Sequence, residues 1–470
     1  MTGHKEPFGD GAAWRLSNPK PTIYLLSASA IADDPRVRRM GDALHALGWR
    51  VTGIGLTGAR GRAPEWRVIE SVLPQPPAPE RSGSAAAAAE RTLAAALTLP
   101  LVPAGQVLRA AGSPWGRLAL NIRDRSLKAN RPFRGAARAL GWRLAHQRLG
   151  AADRIMAQFW RQPAIAAIRD ACSDLPGPAI WMANDWQMLP VASAGAARTG
   201  GVLVYDSHEL ATEESADRPE WRRFVRPMVC AVEADFIRQA QVVSAVSPGI
   251  VAHLQSLYAQ PAPHFSLRNT PIFEDAPFRE TGERIRVLYH GIVVPGRGLE
   301  ASIESVADWP PLFDLTIRGP DSPPGYAGQL KALAAARGVG DRVTLEAPVP
   351  MTELVAAARP FDIGLMALPG HSLHNQYALP NKVFEYLMAH LALAVSDLPE
   401  MRTLVHETGA GLLIGEGSAA EIAAAFQALT RGHIQRFRLA ARDAARRYNW
   451  ETQAAPVIAA YEQAFRAAIG

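Results

Sequence analysis

Lys382 and Glu385 stand three residues apart in the stretch PNKVFEY (Pro380–Tyr386), on one face if that stretch is helical. About a hundred residues upstream, YHGIVVPGRGLE (Tyr289–Glu300) offers a strand end, a glycine-bearing loop and Arg297. A cation pair and exposed backbone N–H groups neutralise a diphosphate, and a carboxylate accepts hydrogen bonds from ribose hydroxyls. The two stretches together are what a nucleotide-sugar site needs. The bland readings are a surface Lys382–Glu385 ion pair, worth a few tenths of a kcal/mol, and a tight turn with a solvent-facing Arg297.

Two further groups sit at the ends of apolar runs. YDSHEL (Tyr205–Leu210) crowds Asp206, His208 and Glu209 at one strand end. Their simplest alternative use is helix capping by Asp206 or Ser207, with an incidental histidine. Asp34 precedes Pro35 and fits a helix N-cap as well as it fits a functional role. His371 and His374 have no local acid partner, which argues against a metal site, and no G-x-x-x-x-G-K-[ST] loop or G-x-S-x-G elbow is present.

The elements that would carry these residues alternate between strand and helix. TIYLLSAS (Thr22–Ser29), a helical pattern through Val37, Met40 and Leu44, and RVTGIGL (Arg50–Leu56) form a βαβ opening. AIWMAND, GVLVYDSHE and QVVSAVS continue the series, and HFSLRNTPIFED reads as a crossing strand and linker. RIRVLYHG, FDLTIRGP, RVTLEAP, DIGLMAL, LALAVSD and AGLLI begin a second series. Two such series predict an α/β protein of two doubly wound domains, residues 21–267 and 268–450. A lead-in over 1–20 and a closing helix over 451–470 flank them.

An insert over about 74–150 interrupts the first series. Within 106–150, ten Arg and Lys residues face Asp124 alone, with apolar residues interleaved at helical spacing. That pattern suits a solvated face, or a surface that meets an anionic membrane or a phosphorylated acceptor. The chain's net charge of +6 over 470 residues gives little support to nucleic-acid binding. Two cysteines, no signal-peptide pattern and no long apolar run lead us to expect a cytoplasmic protein, peripheral on the membrane at most.

These segments resemble the retaining glycosyltransferases of GT-B fold, in the family 4 group that builds bacterial polysaccharides and glycolipids. The resemblance runs through DDPRVRRMGDALHALGWRVTGIGL, ANDWQMLPVA, YDSHEL, SAVSPGI, RNTP, the two donor-site stretches and YNWETQAAPVIAAYEQ, in family order. It implies that Arg297 and Lys382 hold the donor diphosphate, Glu385 binds ribose, and Gly291 lets the loop approach the phosphates, with Asn381 beside them. It places His208 by the transferred sugar, with Glu209 and Asp34 as further candidates for the chemistry. The nucleoside diphosphate sugar would be a co-substrate, with no metal or cofactor required, and the acceptor a glycan, a glycolipid or a small molecule. In the closing helix it implies a segment that crosses back to the first domain. Three departures stand out: Tyr377 where the family often has Glu, His390 and Ala392 in place of Gly and Pro, and Ile292–Val294 where a basic residue is common. A nucleotide-sugar epimerase, kept open by Glu209, Glu213 and Glu214, and a non-catalytic sugar-nucleotide-binding protein are the competing readings.

Overall fold

The computed structural model describes residues 20–59, 61–73 and 151–470. Almost all of the expected lead-in and the whole basic insert, including 106–150, lie outside these residues.

Every strand of the chain that is described runs parallel to its neighbours. Strands β1 (Thr22–Leu26), β2 (Arg50–Leu56), β3 (Arg67–Ser71), β4 (Ile180–Asn184), β5 (Val202–Ser207), β6 (Val242–Ala245) and β7 (His264–Ser266) form one sheet in the order 3-2-1-4-5-6-7. Strands β8 (Ile285–His290), β9 (Phe313–Arg318), β10 (Val343–Glu346), β11 (Ile363–Met366), β12 (Ala392–Val395) and β13 (Gly411–Leu413) form the other, in the order 10-9-8-11-12-13. Counted from its own first strand, the second sheet repeats the order 3-2-1-4-5-6. Each sheet therefore changes winding direction next to its first strand, and the crevice beyond the strand ends there is where such sheets bind ligands.

Helices cover both faces, which is why central strands are apolar except at their ends. All residues of β4, β5, β11 and β12 are buried. Helix Pro35–Ala46 starts as its sequence demands. Asp34 Oδ1 accepts from the backbone N–H groups of Arg36 and Val37 at 3.2 and 3.1 Å, and Pro35 occupies the first turn. Its inner face, Val37, Met40 and Leu44, is buried against the first sheet.

The last helix, Trp450–Ile469, follows the second sheet in sequence but packs on the first. Asn449 caps it, and Trp450, Val457, Ile458, Tyr461 and Phe465 join Val37, Leu44, Val242 and Leu267 in one core. The crossing back that the resemblance implied is thus present.

A buried ion pair ties these parts together. Arg36 makes two 2.7 Å hydrogen bonds to the carboxylate of Asp206 and a third, also 2.7 Å, to the carbonyl of Leu267. Both side chains are essentially inaccessible, at 2% and 1% exposure. Ser244 Oγ donates to Asp206 Oδ1 at 2.6 Å. Asp206→Asn should therefore cost about 3–5 kcal/mol of folding stability, because it leaves a guanidinium buried without its counter-charge. Arg337→Ala, which removes a half-exposed pair with Glu304, should cost no more than about 1 kcal/mol. Denaturant titration of both variants checks the contrast, and equal losses would contradict it.

Candidate functional site

The second half contributes a cradle built from backbone. Gly291, at the end of β8, has φ 129°, a conformation that suits glycine. A Cβ there would stand 2.8 Å from Lys382 Nζ. The ammonium instead lies over the Tyr289 ring, 4.3 Å from its centroid, and donates to the Tyr289 hydroxyl at 3.2 Å. Lys382 is half-buried near the start of helix Asn381–Met388, whose N-cap, Pro380, supplies no side-chain cap. Asn381, also half-buried, is the helix's first residue. Arg297 is exposed on the loop that precedes helix Leu299–Ser305 and makes no ion pair among the described residues.

Lys382 and Glu385 do not form the surface pair that their spacing offers. Glu385 instead turns to His290. Its Oε2 lies 2.8 Å from His290 Nε2, a close contact outside straight hydrogen-bond geometry. Burial pushes the Glu385 carboxyl up, but His290, Arg39 and Lys382 outweigh it and hold the group below its usual range. For Lys382, burial and then the like charge of Arg297 prevail over Glu385 and bring the amine down to about 7.

The first half supplies a wall of carboxylates around one histidine. His208 follows β5, with Nδ1 3.3 Å from Asp185 Oδ2 and Nε2 3.4 Å from Asp206 Oδ2. Its backbone N–H donates to Asp185 Oδ1 at 2.8 Å. Asp185 itself has φ 62°, unusual for a residue with a side chain. Burial disfavours the imidazolium, yet the two carboxylates raise the ring to about 9. The two carboxylates thus favour the charged imidazolium.

Neither Asp206 nor Ser207 caps a helix. Asp206 faces Arg36, and Ser207 Oγ donates to the Glu209 carbonyl at 2.7 Å. Asp34, by contrast, is occupied with capping, and its second oxygen accepts from Ser29 Oγ at 3.0 Å. The Glu209 carboxylate is half-exposed in the cleft. Desolvation there and the like charges of Asp185 and Glu214 push it up, with the exposure limiting the effect. Glu213 is taken by Arg226 at 2.5 Å.

The two walls meet. His374 Nε2 from the second half lies 3.4 Å from Glu209 Oε2, and the charge of Arg297 acts on both. Of the site's residues, sequence reasoning did not single out Asp185 or Arg39, and it weighed His374 only as a metal ligand. Asp185 was the accessible one, since it follows an apolar strand just as Asp206 ends one. Among the described residues, no group of three or more His, Cys, Asp or Glu side chains is arranged to hold a metal ion. No helix among them is long and apolar enough to cross a membrane.

Sucrose-phosphate synthase from Thermosynechococcus elongatus superposes with a TM-score of 0.64 at 15% identity, covering 95% of this chain and all of that one. Alr3699/HepE from Anabaena, solved with UDP, gives 0.57 at 13% identity over 94% of this chain and 100% of its own. WaaG, a glycosyltransferase of lipopolysaccharide biosynthesis, gives 0.54 at 14% identity over 93% and 98%. The fold is GT-B. No protein-family model and no curated protein sequence matches the chain, so these likenesses speak for the GT-B architecture alone.

Within this GT-B cleft the state of Lys382 is measurable without any ligand. Amine-specific labelling followed by peptide mass spectrometry should give Lys382 a titration midpoint near pH 7, well below the ordinary lysine value of about 10.4. Arg297→Ala removes a like charge and should raise the midpoint. A Lys382 midpoint in the ordinary lysine range would contradict the cradle's electrostatics.

Proposed function

We propose that the protein is a nucleotide-sugar-dependent glycosyltransferase. It would transfer a glycosyl group from a nucleoside diphosphate sugar to a glycan, glycolipid or small acceptor with retention at the anomeric carbon. The observation that carries the proposal is the placement of Lys382 Nζ on Gly291, within reach of the charge of Arg297. A cation at Arg297 that lowers the basicity of the neighbouring Lys382 makes a site suited to an anion. A diphosphate supplies it, accepting from both side chains and from the uncapped N–H groups at Asn381 and Lys382.

The remaining groups fit around that anchor. Glu385, kept ionised and held by His290, is the acceptor for ribose hydroxyls. When the bond to the sugar breaks, negative charge grows on the departing diphosphate, and Lys382 and Arg297 stabilise it where it forms. His208 stands on the opposite wall as a charged donor toward the sugar, with Glu209 at the same mouth. Arg297, though exposed, acts by its charge on Lys382, Glu209 and His374, which supports placing it at the donor site.

The test begins with hydrolysis and binding across UDP-, GDP- and ADP-sugars. Arg297→Ala and Lys382→Ala should each weaken binding of the matching diphosphate at least about tenfold, the loss of one charge-assisted contact. Thermal stability should stay nearly unchanged. Because the bound anion raises the Lys382 amine above its free value of about 7, binding should take up a proton above that pH. Affinity should then fall as pH rises. Calorimetry in two buffers of different ionisation enthalpy reads the uptake directly. Unchanged affinity in both variants would remove the assignment, and proton NMR of the first transferred product decides retention.

A further inference from the structure

Resting on the donor-site reading, we infer that His374 is the residue of the second half that contacts the transferred sugar. Four observations place it there. Helix Leu373–Tyr377 begins at Ser372, whose Oγ accepts from Asn375 N at 3.1 Å, and Asn375 Nδ2 in turn donates to the Pro369 carbonyl at 2.7 Å. The loop is thus shaped internally, with no help from a ligand. Its last residue, Tyr377, is committed elsewhere. The Tyr377 ring packs 6.2 Å from that of His253 and against Gly249, while its carbonyl accepts from Ser247 Oγ at 2.7 Å. Tyr377 is therefore fixed in the seam between the halves and cannot serve the cleft.

His374 lies three residues earlier and faces the cleft. Its Nε2 meets Glu209 Oε2 of the opposite wall at 3.4 Å, close enough to hold the ring but long for a hydrogen bond. Its Nδ1 is buried without a hydrogen-bond partner among the described residues. Burial and the charge of Arg297 push the ring below its ordinary value, which leaves a neutral imidazole with one donor and one acceptor. A sugar hydroxyl, itself a donor and an acceptor, satisfies such a ring. The location between Arg297, beside the diphosphate, and Glu209, at the first wall, is where the sugar of a bound donor must lie.

The experiment compares UDP, GDP and ADP with UDP-glucose, GDP-mannose and ADP-glucose on the full chain, for wild type, His374→Ala and His374→Gln. The readout is the ratio of sugar-nucleotide affinity to bare-diphosphate affinity for whichever base binds. His374→Ala should lower that ratio at least about fivefold, the loss of a hydrogen bond to the sugar. Affinity for the bare diphosphate should stay within about twofold, and His374→Gln, which keeps a donor and an acceptor, should recover part of the ratio. A merely structural histidine would change both ligands together. A ratio unchanged in His374→Ala while the diphosphate still binds overturns this inference and leaves the donor site standing. Absence of any nucleotide binding by the wild type overturns the donor site, and this inference with it.

Discussion

The carboxylate of Asp206 sits where five parts of the chain must agree. Arg36 brings the first helix to it, β5 carries it, Ser244 reaches it from β6, and the linker presents Leu267 O to the same guanidinium. Tyr461 of the last helix stands 3.4 Å from Ser244 Oγ. Two charges buried in this way gain little net stability over a well-packed apolar pair, since desolvation offsets their attraction. What the pair provides is position. Burial alone would raise Asp206, but Arg36 and His208 outweigh it and hold the carboxyl well below the usual carboxylate range. Together with Asp185, the stronger influence, that anion raises His208 at the cleft.

The second half solves the opposite problem, which is how to leave room. Its loops approach one another so closely that side chains are excluded. A Cβ on Gly319 would stand 1.8 Å from the Gly291 carbonyl oxygen, and one on Gly298 would stand 1.9 Å from that of Ala367. Both glycines have positive φ. The β8 loop can lie on the ends of β9 and β11 only as bare backbone, and this compression brings Arg297 toward Lys382. Beyond the far end of the helix that carries Lys382, His390 adopts φ 61° where the resemblance would place glycine. The ring stacks on Phe278, and its carbonyl accepts from Arg438 Nε at 3.1 Å, so packing compensates a conformation that glycine would take freely.

Central strands were legible because burial on both faces makes them apolar runs with polar ends. β3 was not. Only Ser71 of its five residues is buried, so RVIES carries neither alternation nor an apolar run. The last helix was legible in extent, within about two residues. Within the site, residue types at strand ends pointed to Asp206, His208 and Gly291. Spacing misled at Lys382 and Glu385, where helical neighbours suggest a pair but partners nearly a hundred residues away, Tyr289 and His290, draw them apart. Asp34 was readable as a cap from the proline after it. Pairings that form only on assembly, such as His374 with Glu209, leave no local signal.

The width of the cleft follows from the seam beside it. The N–H of Gly249, in the first turn of helix Pro248–Tyr258, donates to Glu400 Oε1 of the second half at 2.7 Å, so one half caps the helix of the other. Tyr377 fills the space that a side chain on residue 249 would need. With Ser247 holding the Tyr377 carbonyl, the short helix that bears His374 is fastened to the first half while the chain on either side belongs to the second. The two walls are then fixed face to face with opposite character. Lys382 and Arg297 stand on one side, and Asp185, Glu209 and Glu214 on the other. A ligand with one charged and one neutral end has a single favourable orientation between them, with the anion toward Gly291 and the hydroxyl-bearing end toward His208. The carboxylate wall opposes a second anion at the far end.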